Sequence, residues 1–168
     1  MMSQTQLASI LVGDHLGQVK KVLWPSGEVS LLPDLDEPNK SNPIVSIDPI
    51  LGSKNKHLIA SKNGSLFVYD SIRAKTKRCE KKADIDLVKA APLDGKSIVL
   101  VYEKRLLFGD YELKQKKGQI KDARAHGDSL AIVGKDIPLK VFDVNSRSKI
   151  FEADMPDKNW LHIQPDCE

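Results

Sequence analysis

Four histidines, His15, His57, His126 and His162, are the residues best suited to acid–base or metal chemistry, and their spacing argues against both. They fall in four separate stretches, so each reads as a turn or strand-face residue rather than a ligand. Asp14-His15 has the pairing of an acid–base couple, yet it lies between Gly13 and Gly17, where a turn calls for polar residues anyway. The same segment lacks the Lys-Ser/Thr ending and the spacing of a phosphate-binding loop. No serine stands in a nucleophile elbow. Cys79 and Cys167 have no Cys-x-x-Cys partner, which excludes a zinc finger and gives a disulfide framework no support. A reducing compartment is the simpler reading. The residues therefore predict a chain that is not an enzyme and that uses no cofactor and no metal.

Basic residues offer a second kind of chemistry. Arg73, Lys75, Lys77, Arg78, Lys81 and Lys82 form one run, Lys114, Lys116, Lys117 and Lys121 a second, and Arg147 and Lys149 a third. Each follows an apolar segment ending at Asp70, Asp110 or Asp143. Such runs suit phosphate, with Lys and Arg as positioning contacts; they also suit plain solubility. The stretch from Lys75 to Lys82 has in addition the composition of a nuclear-targeting run. Aromatic residues are only 5 % of the chain, which gives no support to base stacking.

The apolar segments show what must carry these residues. Leu130 to Val133, a polar turn over Gly134 to Pro138, and Leu139 to Phe142 read as a β-hairpin. The pattern recurs upstream with turns at Asp14 to Gly17, Asn63-Gly64 and Glu103-Lys104; Asn-Gly is a strong hairpin signal because both turn residues need positive φ. The hairpins ending at Asp70, Asp110 and Asp143 are spaced by 40 and then 33 residues. Tyr69-Asp70 and Phe142-Asp143 stand where a Trp-Asp pair is usual, and Gly109-Asp110 is more degenerate. A period near forty with an aromatic-Asp ending is the pattern of WD-type β-propeller blades, whereas an ordinary β-sandwich would not require the repeat.

The expected fold class is all-β, an incomplete WD40-type β-propeller of about three and a half blades. Its units are expected over 7–36, 43–82, 84–117 and 119–155, with 158–168 starting a further blade. A propeller closes with four to eight blades, so a fragment of a longer ring is expected, with strand edges and terminal blade faces left open. Connections after the third strand of each blade should emerge on one face, so the three basic runs are expected to line one rim. Metal-dependent propeller hydrolases need inward carboxylates and histidines around a central channel, and no such set is legible. The chain has 168 residues and a formal net charge of +3. It is long enough for one domain and only mildly basic, so any nucleic-acid signal must be local. With no apolar run of spanning length and no basic flank before the N-terminal apolar segment, a soluble intracellular protein is expected.

Two blocks of the chain resemble the eukaryotic WD repeat-containing protein 74 family, nucleolar WD-repeat factors of large ribosomal subunit assembly. They are Ile10 to Val22 and the stretch from Val133 to Ile163. Gly134, Lys135, Leu139, Lys140, Phe142, Asp143, Phe151, Ala153, Asn159, Trp160 and Leu161 occupy positions that match the family's turn, strand and linker. The order and separation of the blocks fit the N-terminal half of that propeller. Glu152 and Asp154 stand where the family's linker is basic, and the basic C-terminal tail is absent. The resemblance implies a non-catalytic scaffold of the large (60S) subunit, acting in pre-rRNA processing and particle assembly in the nucleus and nucleolus. Implied partners are pre-ribosomal proteins, ribosomal RNA and an AAA-type ATPase, with no membrane and no small-molecule substrate. RNA or partner contacts would fall on Arg73, Lys75, Lys77, Arg78, Lys81, Lys82, Lys114, Lys116, Lys117, Asn159 and Trp160. Trp160 also reads as the core anchor of a next blade, because Leu161 and Ile163 alternate like a buried strand. Without the resemblance, the same repeats read as a generic protein–protein adaptor of a ubiquitin-ligase or trafficking complex.

Overall fold

The computed structural model describes residues 8–33, 35, 42–79, 84, 87–93 and 97–154. These form fifteen strands and no helix: β1 Ala8–Gly13, β2 Val19–Trp24, β3 Val29–Leu31, β4 Ile44–Pro49, β5 Lys56–Ser61, β6 Leu66–Asp70, β7 Lys75–Arg78, β8 Leu87–Pro92, β9 Ile98–Tyr102, β10 Arg105–Phe108, β11 Tyr111–Lys114, β12 Gln119–His126, β13 Ser129–Lys135, β14 Ile137–Asp143 and β15 Ser148–Ala153. They make four antiparallel meanders, β1-β2-β3, β4-β5-β6-β7, β8-β9-β10-β11 and β12-β13-β14-β15. Strand β8 packs against both β4 and β12, so the first strands of the last three sheets lie innermost, as blades around an axis.

Alternation within the apolar runs explains the stacking. Successive strand residues point to opposite faces, so a run apolar throughout serves two cores at once. In β5, Leu58 and Ala60 join the core shared with β8 and β9, while Ile59 joins the core shared with Val19 of the first sheet. In β9, Leu100 and Tyr102 face the second blade, and Val99 and Val101 face the fourth with Ile120, Leu130 and Ile132.

The first sheet has three strands among the described residues. The Ile44 amide donates to the Asp14 carbonyl in the β1–β2 turn, as the Ile120 amide donates to Glu103 in the β9–β10 turn. Strands β1 and β2 are thus equivalent to β9 and β10, the second and third strands of a blade. One face of this sheet stays open: Ile10, Val12, Val29 and Leu31 are each about half exposed, and register places them together.

Three expectations change. The basic runs after Asp70, Asp110 and Asp143 are not mere connections, since β7, β11 and β15 are fourth, outer strands. Their charge suits an edge strand, where Lys discourages pairing with another chain. The turn expected over Gly134 to Pro138 is shorter: β13 runs to Lys135, β14 begins at Ile137, and Asp136 alone takes the positive φ, 55°. Asp110 is not equivalent to Asp70 and Asp143. Phe108 pairs with Tyr111 across a two-residue Gly109-Asp110 turn, with Gly109 at φ 62°.

Candidate functional site

Asp70 and Asp143 end their strands for one reason. Asp70 Oδ1 accepts from the amides of Ile72 and Arg73, both at 3.1 Å. Asp143 Oδ1 accepts from the amide and the hydroxyl of Ser146, both at 2.6 Å. Each then has a positive-φ residue four positions on, Ala74 at 50° and Arg147 at 56°. The Arg73 amide bond leads in lowering the Asp70 pKa, and the Ser146 hydroxyl leads for Asp143. The stability these turns contribute is present above the ordinary carboxylate range and lost as pH falls through the lowered values.

The basic residues do not line one rim. Arg73 lies in the β6–β7 turn with its side chain 78 % exposed, 3.9 Å from Asp70. Lys75, Lys77 and Arg78 run back along β7, antiparallel to β6, toward the other end of the blade. Lys75 and Lys77 are exposed. Arg78 is engaged in structure: it donates to the buried Ser65 hydroxyl at 3.0 Å and lies 5.9 Å over the Phe67 ring. Lys114 ends β11, and Lys116 and Lys117 lie at the opposite end from the Arg73 type of turn. There the Gln115 amide donates to the Lys104 carbonyl, and Lys104 Nζ donates to the Gly118 carbonyl at 2.6 Å. Lys81, Lys82, Asn159 and Trp160 lie outside the described residues.

A different cluster appears at the end carrying Lys116 and Lys117. Lys62 beside the β5–β6 turn, Lys104 in the β9–β10 turn and Lys135 beside Asp136 in the β13–β14 turn are all exposed. These are the same turn in three successive blades. Lys62 and Lys104 also border a cleft of about 650 Å³ with Arg105 and Glu103. Within it Arg105 is held by Asp84 at 2.5 Å and Tyr102 at 4.6 Å, and Glu103 receives Lys121 at 2.5 Å.

The innermost strands carry a set that the sequence did not reveal. Each has a bulge near its start, between Ile44 and Ser46, Leu87 and Lys89, and Ile120 and Asp122. A bulge re-aims the side chains that follow it. Ser46, Lys89 and Asp122 are therefore equivalent, and Asp48 and Arg124 sit two residues further on. Lys89 Nζ lies 3.1 Å from Asp48 Oδ1 and 3.6 Å from Asp122 Oδ1, and all three side chains are at least nine-tenths buried. Arg124 reaches the same Asp48 oxygen at 3.0 Å from the fourth blade. Ser46 Oγ accepts from the Ala90 amide at 3.2 Å. Two carboxylates, Asp48 and Asp122, thus face inward, but among the described residues no histidine lies with them, and a lysine and an arginine pair with them. No group of three His, Cys, Asp or Glu suited to a metal occurs among the described residues. The arrangement ties three blades together at the axis. Its only sequence signal is a polar residue at the third position of each unit's opening apolar segment.

His15 is an exposed turn residue and His126 ends β12. His57 lies on β5 opposite Tyr69, with ring centroids 6.5 Å apart and a buried Nδ1 that has no hydrogen-bond partner. Burial lowers its pKa. The unfolded chain takes up a proton near pH 6.5 that folded His57 resists, so stability is present above that value and declines as pH falls below it. Urea midpoints measured from pH 7 to pH 5 should fall in the parent and fall less in His57→Phe. An equal fall in both would remove His57 as the cause.

No family model matches this chain, and no curated protein matches it. Solved structures do: 593 chains match, enough to show that the shape selects an architecture and not a partner. One is a chain in the crystal structure of the mitotic checkpoint complex, at TM-score 0.65 and 15 % identity, over 90 % of this chain and 47 % of that one. The present chain therefore spans about half the length of that neighbour. Its four stacked antiparallel meanders and its shape give it an all-β fold, that of a partial β-propeller.

Proposed function

We propose that this chain is a non-catalytic scaffold that contacts structured RNA and assembly proteins in pre-ribosomal particles of the large subunit, in the nucleolus. The carrying observation is the row of exposed lysines at equivalent turns: Lys62, Lys104 and Lys135, with Lys116 and Lys117 beside them. Charges that recur at one end of successive blades form a patch on a chain whose net charge is only +3, and such a patch suits phosphate as positioning contacts. The resemblance of Ile10 to Val22 and Val133 to Ile163 to the WD repeat-containing protein 74 family supports the ribosomal assignment and suggests an AAA-type ATPase among the partners. The axial cluster supports a scaffold role, since its carboxylates are occupied by Lys89 and Arg124.

Filter binding to a large-subunit ribosomal RNA hairpin tests this. Lys116→Glu with Lys117→Glu should weaken binding about tenfold or more at 0.1 M salt and reduce the salt slope by about one for each phosphate no longer neutralised. Lys75→Glu with Lys77→Glu, on the outer edge strand, should weaken it less. Equal losses from both pairs would move the RNA interface away from the turn lysines. Absence of RNA binding by the parent would refute the RNA interface altogether.

A further inference from the structure

The third and fourth blades leave a cleft of about 570 Å³ between them, at the end opposite the turn lysines. Its floor is apolar, with Leu93, Val99 and Phe108 buried and Ile98 and Val144 half-buried. Exposed Asn145 and Arg147 from the β14–β15 turn stand on one wall. The Arg147 guanidinium lies 5.2 Å over the Tyr111 ring, across the blade boundary. Among the described residues no acid lies within ion-pair distance of it. The equivalent turn of the second blade has Ala74 at that position, so the fold requires the backbone shape but not the guanidinium.

We infer that this cleft binds an extended peptide segment of a partner protein, seating an apolar side chain on Val99 and Phe108 and a carboxylate on Arg147. The volume is that of a ligand site rather than of a packing defect. An apolar floor with one cation at its mouth is complementary to an apolar residue near an acidic one. A guanidinium already lying on an aromatic ring is preorganised to hold a carboxylate by two parallel hydrogen bonds. Asn145 supplies donor and acceptor groups for the peptide backbone. The inference deepens the scaffold reading by naming a partner chemistry. It is independent of the RNA interface, whose lysines lie at the other end of the blades.

The probe is a set of fluorescein-labelled heptapeptides with one leucine and one glutamate separated by zero to three serines. Anisotropy with the full 168-residue chain should show binding for at least one spacing, weakened about tenfold or more when the peptide glutamate becomes glutamine. Arg147→Gly should give the same loss while leaving the fold intact, because glycine accepts the 56° φ freely. Arg147→Glu should shift preference to the peptide bearing lysine in place of glutamate. Arg73→Ala, in the equivalent turn of the second blade, should change nothing. Absence of binding at every spacing would overturn the inference, as would binding indifferent to Arg147→Gly. Displacement of the peptide by an RNA oligonucleotide would also overturn it, by assigning the cleft to nucleic acid.

Discussion

Lys89→Met should destabilise the chain by about 3–5 kcal/mol, the cost of removing one partner from a buried ionic cluster. Lys89, Asp48 and Asp122 retain only 5 %, 6 % and 7 % of their accessible surface. Methionine fills the space but leaves Asp48 dependent on Arg124, whose side chain is 41 % exposed, and deprives Asp122 of its ammonium. One oxygen of Asp48, Oδ2, already lacks a protein donor. The loss should appear in urea denaturation followed by circular dichroism. The companion is the triple variant Lys89→Met, Asp48→Leu, Asp122→Leu. It should recover most of the stability, since replacing a whole buried ionic group by apolar residues is often neutral. A cost below about 1 kcal/mol for Lys89→Met would match a solvated pair and would mean that the axis is wet and does not tie the blades.

Gly134→Ala should cost roughly 3 kcal/mol or more, the upper range of overpacking. A Cβ there would overlap the Gln119 carbonyl oxygen and stand 2.9 Å from the Ile120 Cα, both backbone atoms of β12. Gly134 pairs with both Ile120 and Ile137, beside register shifts in each ladder, so the clash has no side chain to push aside. Gly127→Ala is the reference. Its φ of 54° is unfavourable to alanine, but nothing lies within 4 Å of the added carbon, so about 1 kcal/mol is expected. Equal melting temperatures for the two variants would contradict the close approach at Gly134.

The blade hairpins were legible because each combines two apolar runs around a short polar turn. Asn63-Gly64 has positive φ at Gly64 alone, 85°, and not at both residues as a two-residue turn would need. Glu103-Lys104 joins β9 to β10 in register with neither residue at positive φ. The aromatic-Asp endings marked Asp70 and Asp143 correctly because a carboxylate caps the same turn in both, and misled at Asp110, where a glycine makes a shorter turn instead. The outer strands of the second and third blades were not legible. Lys75 to Arg78 and Tyr111 to Lys114 have too few apolar residues to show a period of two, because an outermost strand borders little core. The axial cluster was hidden for a different reason. Asp48 and Arg124 stand 76 positions apart in sequence, with Lys89 and Asp122 between them, and only the three matching bulges bring the four together.

The most direct test of the scaffold reading is sucrose-gradient sedimentation of the tagged chain from nuclear extract, with and without RNase. Co-migration with large-subunit precursors, collapsing to light fractions after RNase, is the predicted result. A soluble chain that stays in light fractions with or without RNase would contradict the ribosome-assembly reading and favour a protein–protein adaptor.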